Sequence, residues 1–309
     1  MEKDIKSLLF KYKSLIGLIL LCAVISCIAP RFLTVTNILN VFTQVSVNAI
    51  IAVGMCFVIL TGGIDLSVGS TLAITGAVAA TLAQKNINVF AILIAVLIIG
   101  ALIGWFNGII VAKGKIQAFI VTLATMTVFR GITYVYTDGT PISGLGTDFT
   151  VIGNGTLAGI PLPVIIIILV VLVAWYVLSQ TRYGRYVYAV GGNEDSARLS
   201  GINTDKIKTL VYVLCGATAA LSAVVVTSRI GSASPNAGTG FELDAIAAVV
   251  LGGTSLSGGE GSVIGTIIGA MIICVLNNGL NLMNVSPFYQ LIVKGFVILL
   301  AVMLDKKNK

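Results

Sequence analysis

The chain has 309 residues, of which 57% are hydrophobic and only 10% are charged, with a net charge of +7 and a mean hydropathy of +1.04. A soluble domain carries about 25% charged residues, so this composition excludes an ordinary soluble protein. The sequence contains no histidine, which excludes a Ser-His-Asp triad and a histidine-ligated metal site. We therefore expect an integral membrane protein.

Ten apolar runs predict transmembrane helices. Most approach the ~20 apolar residues needed to cross about 30 Å of hydrocarbon. Lipid cannot satisfy backbone N–H and C=O groups, so each run is expected to close its hydrogen bonds as a helix. We predict an all-α, polytopic integral membrane protein with about ten spans. In chain order, the runs are residues 15–29, 37–60, 68–84, 89–112, 117–137, 163–180, 209–228, 242–256, 262–283 and 287–304.

The distribution of basic residues predicts the orientation. With the N-terminus inside and ten spans, fourteen basic residues fall on one side and three, Arg31, Lys85 and Arg229, on the other. Both termini are therefore predicted to be cytoplasmic, with residues 1–14 as a cytoplasmic segment before a retained first span. The basic excess orients the protein and does not indicate a nucleic-acid partner. The fourteen are Lys3, Lys6, Lys11, Lys13, Lys113, Lys115, Arg182, Arg185, Arg198, Lys206, Lys208, Lys306, Lys307 and Lys309.

The second apolar run ends in TGGIDLSVGST, which predicts a broken helix near residues 62–70. Either Asp65 or Ser67 is expected to cap the following helix by accepting hydrogen bonds from backbone N–H groups. A broken helix also exposes polar groups to a cavity, and transporters place binding or gating groups at such interruptions. The two interpretations are compatible and favour a hinge or gate over a tight ligand site. A similar break, LGGTSLSGGEGS, is predicted near residues 252–262, and both breaks are expected in the cytoplasmic half of the membrane.

Polar side chains inside the spans are candidates for a translocation path or gate, because such groups are costly in lipid. Amides and hydroxyls suit an uncharged, hydroxyl-rich substrate better than an ion. Hydrogen bonding between helices is the alternative role for each asparagine. Arg130 is expected either to reach toward a headgroup region or to pair with a carboxylate such as Asp138. The candidates for the path or gate are Asn48, Asp65, Ser67, Asn107, Arg130 and Asn277.

Two loops between the spans have distinct compositions. Residues 138–162 contain no lysine or arginine and many turn formers, which predicts an external loop that meets an extracytoplasmic partner. Residues 181–208 form the longest predicted cytoplasmic stretch, in which Asn193 is expected to cap a short helix that Gly201 ends. Glu194 lies at the start of this helix, where the helix dipole favours negative charge. Such a helix could dock into a groove on a soluble partner; an ordinary orienting loop is the alternative.

Six stretches of the sequence carry a resemblance to a known family. They are VNAIIAVGMCFVILTGGIDLSVGS, VAKGKIQAFIVTLATM, RGITYVY, GRYVYAVGGNEDSARLSGIN, AGTGFELDAIAAVVLGGTSLSGGEGSVIGTIIGA and NNGLNL, distributed over residues 37–304. In this order they resemble the membrane permease subunits of bacterial ABC importers for simple sugars. The resemblance implies one permease domain over residues 1–309 in the inner membrane, surrounded by lipid. It also implies a homodimer, a cytoplasmic ATPase subunit and an extracytoplasmic sugar-binding protein, with ribose favoured and other small sugars open.

The resemblance further implies that residues 181–208 contain the coupling helix that receives the motion of the ATPase. ATP would be used by the partner subunit, so this chain is expected to be no enzyme and to bind no metal or cofactor. In agreement, no Walker A loop is present, since Gly114-Lys115 is followed by Ile116. Asp195-Ser196 stand where two alanines are commoner in importer permeases. The residues assigned to coupling are Gly192, Asn193, Glu194, Ala197, Leu199 and Gly201.

Two other transport mechanisms remain open on the residues alone. An ion-driven secondary transporter would need no ATPase, and Asp65 is nearly the only carboxylate available to couple an ion. A passive channel for small polyols would need neither ATP nor a binding protein. A membrane-bound enzyme is disfavoured by the lack of histidine and of a clustered acid pair. Replacement of Asp65 by asparagine separates ion coupling from a cap or hinge role.

Overall fold

The computed structural model describes residues 13–306, and this part of the chain is predominantly helical, as predicted. The predicted cytoplasmic segment 1–14 lies outside the described residues except for its last two positions. Apolar runs form helices here because a helix satisfies its own backbone hydrogen bonds. The helices are α1 Lys13–Ile28, α2 Val35–Leu60, α3 Val68–Gln84, α4 Val89–Gly114, α5 Ala118–Thr137, α6 Thr147–Asn154, α7 Leu162–Gln180, α8 Arg182–Gly192, α9 Glu194–Leu199, α10 Thr204–Ile230, α11 Phe241–Leu251, α12 Val263–Leu282 and α13 Pro287–Lys306.

Each predicted span corresponds to one of these helices, which confirms the polytopic architecture. Six helices (α2, α4, α5, α7, α10 and α12) have the length and apolar composition needed to cross a membrane. Shorter apolar helices run through Ser14–Ile28, Val68–Gln84 and Pro287–Leu300. The exact number of spans and the side of the termini remain predictions. The eighth predicted span is shorter than expected, because α11 ends at Leu251 and Gly253 then takes a left-handed φ of +92°.

The strands in the described residues are two residues long and lie in loops. β1 (Ile142–Ser143) pairs antiparallel with β4 (Ser232–Ala233). β2 (Thr156–Leu157) pairs antiparallel with β3 (Ile160–Pro161) in a hairpin. These pairings tie the predicted external loop together at one end of the bundle, which we call the strand end.

The predicted external loop also contains a helix, α6, that the sequence analysis did not anticipate. The hydroxyl of Ser228 on α10 donates to the carbonyl oxygen of Phe149 at 2.6 Å and accepts the amide N–H of Gly153 at 2.7 Å. Phe149 is buried against the bundle. The loop is therefore folded onto α10 at the strand end.

Helix α10 lies at the centre of the bundle and packs against α2, α3 and α4. Its contact with α4 is antiparallel, and Gly100, Gly104 and Gly108 on α4 let the two backbones approach closely. A Cβ atom on Gly104 would overlap the carbonyl oxygen of Tyr212 on α10. The opposite end of the bundle carries residues 61–67 and 181–203, and we call it the basic end; it is the predicted cytoplasmic side.

The segment between β4 and α11 re-enters the bundle from the strand end. Gln84, at the end of α3, donates its Nε2 to the carbonyl oxygen of Ser143 on β1 at 2.6 Å. Near the start of α3, however, Gly69 packs against the backbone of Gly238, with the Cα of Gly69 3.1 Å from where a Cβ on Gly238 would lie. An α-helix rises about 1.5 Å per residue, so Gly238 lies well below the β1–β4 pair. Helix α11 therefore begins inside the bundle.

Candidate translocation path and coupling surface

Asp65 is the centre of a hydrogen-bonded cluster in the first break. Its Oδ1 accepts the amide N–H of Ser67 at 2.9 Å and the hydroxyl of Ser67 at 2.6 Å. Asn107 on α4 donates its Nδ2 to the same hydroxyl oxygen at 2.9 Å. Asp65 is 1% exposed, and Ser67 and Asn107 are equally buried. The structure thus brings three predicted path residues together in a closely packed cluster.

The two capping candidates in this break differ in role. Ser67 is the N-cap residue of α3, one of the two alternatives predicted, but its side chain does not accept the expected backbone N–H of the helix. The Ser67 hydroxyl instead donates to Asp65 and accepts from Asn107. Asp65 accepts the backbone N–H of Ser67, the N-cap residue itself, and so fixes the chain just before the helix without being its N-cap.

Three neighbouring helices hold this break in place. The carbonyl oxygen of Ile64 accepts hydrogen bonds from the hydroxyls of Thr122 on α5 and Tyr212 on α10, both at 3.3 Å. The third helix is α4, whose Asn107 is hydrogen-bonded to Ser67. The Oδ1 atom of Asn107 is buried and has no hydrogen-bond partner in the described part of the chain. The break is therefore a fixed joint between helices in this conformation.

The two breaks meet at the basic end. The amide of Gly259 in the second break donates to the carbonyl oxygen of Leu60, the last residue of α2, at 2.9 Å. Tyr188 on α8 donates its hydroxyl to the carbonyl oxygen of Gly261 at 2.9 Å. A Cβ atom on Gly191 would overlap the carbonyl oxygen of Leu60 and lie 2.5 Å from the amide nitrogen of Gly259. Three backbone segments therefore touch at one point, which we call the glycine junction (Leu60, Gly191 and Gly259).

The loop assigned to coupling folds into two short helices, α8 and α9. Asn193 caps α9 as predicted, because its Oδ1 accepts the amide N–H of Ser196 at 2.8 Å. Gly201 follows the helix with a φ of +83°, the left-handed conformation expected of a terminating glycine. Ala197 is buried, whereas Leu199 is 89% exposed. The loop therefore presents one apolar side chain on a short capped helix.

Ion pairs fasten α9 to α10. Glu194 contacts Arg198 within α9, with an Oε1–Nη2 distance of 3.1 Å, and Lys208 on α10 through its Oε2. Arg198 also lies 3.6 Å from Asp205. Partial burial by itself raises the pKa of Glu194, but the hydrogen bond and charge of Lys208, with Arg198, outweigh it and lower the pKa below its usual value. Glu194 is thus an anchor of the helix rather than a free surface charge.

A cavity of about 550 Å³ separates this loop from the first break. Gly62 and Gly63 line it on the membrane side, and Lys115 lies beside it in the α4–α5 connection. Glu194 and Arg198 line it on the loop side. The cavity lies between α9 and the first break, whereas Gly191 of the same loop is closely packed against Leu60 at the glycine junction.

Arg130 holds the re-entrant segment. Its Nη1 donates to the carbonyl oxygens of Pro235 at 2.6 Å and Ala237 at 2.8 Å. Of the two alternatives expected for Arg130, an ion pair with Asp138 is not formed in the described residues, because the re-entrant backbone supplies acceptors that a sequence pattern does not reveal. None of the hydrogen bonds of the Asp65 cluster involves Arg130.

Asn48 and Asn277 line a second polar cavity of about 310 Å³ among α2, α10, α11, α12 and α13. Asn48 donates its Nδ2 to the Sγ of Cys274 at 3.4 Å. The Oδ1 of Asn277 is buried and has no partner among residues 13–306. Lys294 on α13 and Asp244 on α11 also line the cavity and form an ion pair at 2.9 Å. The six predicted path residues thus fall in three separate places.

Sequence reasoning missed Asp244, Lys294 and Gly191 as functional candidates. The signal for the ion pair was present, since a carboxylate and an amine each lie in a predicted span and such groups tend to pair in the membrane. Gly191 was overlooked in favour of Gly192, and the sequence alone does not distinguish two adjacent glycines. A Cβ on Gly192 would meet nothing within 4 Å.

The described residues contain no group of three or more histidine, cysteine, aspartate or glutamate side chains that could hold a metal. The five cysteines are free. Cys56, Cys215 and Cys274 are buried, and Cys274 accepts a hydrogen bond from Asn48.

Comparisons with known proteins agree with this architecture. A family model described as "Branched-chain amino acid transport system / permease component" matches residues 37–302. The ribose import permease protein RbsC of Escherichia coli (strain K12) is 55% identical over 308 residues, which cover 98% of this chain and 96% of that protein. RbsC of Bacillus subtilis (strain 168) is 53% identical, covering 95% of this chain and 92% of that protein.

A more distant relative carries another sugar in its name. The D-allose transport system permease protein AlsC of Escherichia coli (strain K12) is 41% identical, covering 96% of this chain and 91% of that protein. No solved structure matches the chain. The helical architecture and these relatives make the chain a multi-pass protein of the bacterial inner membrane. It belongs to the family of transport-system permease components that the matching model describes.

Proposed function

We propose that this chain is the membrane permease subunit of an ATP-driven importer and that its substrate is ribose. The observation that carries the proposal is 53–56% identity, over almost the whole chain, to proteins named ribose import permeases. Relatives named for D-allose and for galactose are 41% and 39% identical. The buried amides and hydroxyls in the spans suit a neutral, hydroxyl-rich substrate.

We also propose its partners. Because the chain has no Walker A loop, ATP would be bound and hydrolysed by a separate cytoplasmic subunit. A sugar-binding protein would deliver ribose at the strand end, near residues 138–162 and 229–241. Two copies of this chain would form the translocating unit, as the family resemblance suggests. Selectivity would then reside mainly in the binding protein, so the permease itself can bind the sugar weakly.

The coupling role is assigned to α9. Leu199 would enter a groove on the ATPase subunit, since a single exposed apolar side chain on a capped helix provides contact area at little ordering cost. The ion pairs of Glu194 would hold α9 against α10, so that a displacement of α9 by the ATPase is passed to α10. Helices α8 and α9 would move together, because Asn193 is both the C-cap residue of α8 and the N-cap residue of α9.

The predicted path and gate residues take different roles in this proposal. The buried cluster of Asp65, Ser67 and Asn107 would act as the joint at the start of α3, about which this helix changes its angle. Arg130 would hold the re-entrant segment in register during that change. Asn48 and Asn277 would contact the sugar, because they line an open polar cavity.

The test is uptake of labelled ribose by lipid vesicles that contain the chain with its ATPase subunit and the binding protein. We expect uptake that requires ATP on the ATPase side and that excess allose, xylose or galactose inhibits less than excess ribose. Uptake by the chain alone, driven by an ion gradient or by the sugar gradient, would instead establish the secondary transporter or the channel.

A further inference from the structure

The polar cavity near the strand end is lined by amide and charged side chains from apolar helices. Arg229 and Gln290 lie near its mouth, at the end of α10 and the start of α13. Gln44 and Asn48 line one wall, and Asp244 lies deeper, in the first turn of α11. Polar and charged groups within spans are costly unless they pair or serve a pathway.

Some of these groups already have partners. Lys294 donates its Nζ to the Oδ2 of Asp244, whose side chain is 8% exposed. Gln290 donates its Nε2 to the Oδ1 of Asn281 at 2.8 Å, and both residues line the cavity. These bonds form a polar wall without filling the space between α2, α12 and α13.

One group lacks a partner. The Oδ1 of Asn277 is buried, and it accepts no hydrogen bond in the described part of the chain. A buried polar atom without a partner costs free energy, so its presence in a native structure calls for an explanation, such as a bound water or a shift of the side chain when a ligand enters. The residue Asn277 lines a cavity of about 310 Å³, at the lower end of the roughly 300–1,000 Å³ typical of small-molecule sites.

We propose that this cavity is a low-affinity subsite for a neutral monosaccharide, in which the Asn277 amide and the Asp244–Lys294 pair contact sugar hydroxyls. A hydroxyl both donates and accepts, so it can bond simultaneously to a carboxylate or amide oxygen and to an amine or amide N–H. The inference rests on the proposed function and adds the Asp244–Lys294 pair to the residues that would contact the sugar.

The charges of the cavity favour a neutral ligand over an ion. Asp244 is the carboxylate that lines it, and Lys294 already neutralises this group, so no free carboxylate is left to bind a cation. Arg229 is the remaining cation in the lining, and the Asp244–Lys294 pair adds no net charge to it. The rest of the polar lining consists of the amides of Gln44, Asn48, Asn277, Asn281 and Gln290, which suit hydroxyl groups.

The experiment is a protection assay on the full chain in lipid nanodiscs. Cys22 and Cys27 are replaced by alanine, and Gln44→Cys places a thiol in the cavity wall. The rate of modification by a small cationic thiosulfonate is measured with ribose, with inorganic phosphate and with sucrose at matched osmolality. The same background without Gln44→Cys reports any labelling of Cys274, which also lines the cavity.

We expect ribose to slow the modification about threefold once its concentration is about twice its Kd, by mass action, and sucrose to have no effect. Asn277→Leu in this background should abolish the protection. Thr127→Val should retain it, because Thr127 is an in-span polar residue that donates only to its own helix, at Leu123. If Asn277→Leu is not monodisperse in size-exclusion chromatography, Asn277→Ala replaces it.

The outcomes distinguish the subsite from the transport function. If the unmodified importer takes up ribose but ribose does not protect the thiol of Gln44→Cys, the subsite is overturned and the proposed function stays intact. Protection by phosphate but not by ribose would show an anion site and would also overturn it. Absent ribose uptake by the unmodified importer would instead refute the proposed function itself.

Discussion

The amide of Gly259 is hydrogen-bonded to the carbonyl oxygen of Leu60 at 2.9 Å. This bond joins the two interrupted regions of the membrane domain, since Leu60 ends α2 and Gly259 lies between α11 and α12. Gly191 from the coupling loop packs against both groups without an intervening side chain. Closely packed elements transmit displacements rather than absorb them. A shift of α8 is therefore expected to move both breaks together.

Alanine substitutions at Gly191 and at its neighbour Gly192 should have different effects on stability and uptake. We expect Gly191→Ala to destabilise the chain by about 1–3 kcal/mol and to reduce ribose uptake strongly, because the new Cβ overlaps the Leu60 carbonyl. Gly192→Ala is the matched control, since its Cβ meets nothing within 4 Å. Thermal unfolding in detergent and vesicle uptake measure the two effects. Equal uptake by the two variants would show that the junction carries no motion.

Leu199 should be needed for contact with the ATPase subunit and not for folding. We expect Leu199→Asp to leave thermal unfolding unchanged, because the side chain is 89% exposed, and to abolish co-purification of the ATPase. Leu157→Asp is the control: Leu157 is 62% exposed in the β2–β3 hairpin at the strand end. A variant in which bulky basic residues replace Glu194 and Ala197 should also fail to co-purify the ATPase. Retention of the ATPase by Leu199→Asp would place the docking surface elsewhere.

Asp65 should behave as a joint and not as an ion-coupling group. Asp65→Asn keeps an oxygen that can accept the Ser67 N–H and hydroxyl, so we expect uptake to fall less than about tenfold. Asp65→Leu removes that acceptor and leaves buried donors unpaired, at about 1–3 kcal/mol for each group, so uptake should be lost. Uptake rates are compared with and without proton and sodium gradients. A gradient dependence that Asp65→Asn removes would support the ion-driven transporter.

The membrane helices were predictable because the apolar runs are continuous and their ends carry glycine, asparagine or proline. The helices at the basic end were not equally predictable. Helix α9 was expected from Asn193 and Gly201, both of which act as their positions indicate. Helix α8 was missed, since the glycine pair at its end suggested a break and the preceding tyrosines and arginines lack a continuous apolar run.

The contacts within the candidate site were less predictable than its residues. Asp65, Ser67 and Asn107 were each identifiable as polar groups in an apolar chain. Their mutual bonds depend on how α4 packs against the first break, which links residues 40 positions apart. Arg130 shows the same limit, because its acceptors are backbone carbonyls of a re-entrant segment and no residue type marks a carbonyl.

The ion pairs of Glu194 should make the stability of α9 depend on pH. The pKa of Glu194 is lowered in the folded chain, so its stabilising charge is fully present above the unfolded value of about 4.3 and is lost as the pH falls through the lower, folded value. Amide exchange in α9, corrected for the intrinsic pH dependence, should therefore stay slow from pH 7 down to about 4.3 and accelerate below it.

Glu194→Gln should remove this pH dependence. The ion pairs are partly exposed, so we expect their loss to cost only about 0.2–1 kcal/mol and to speed amide exchange in α9 up to about fivefold at pH 7. Asp195→Asn is the control, because the neighbouring Asp195 is exposed and forms no ion pair with the described residues. If Glu194→Gln and the unmodified chain lose protection over the same pH range, another group must fasten α9 to α10.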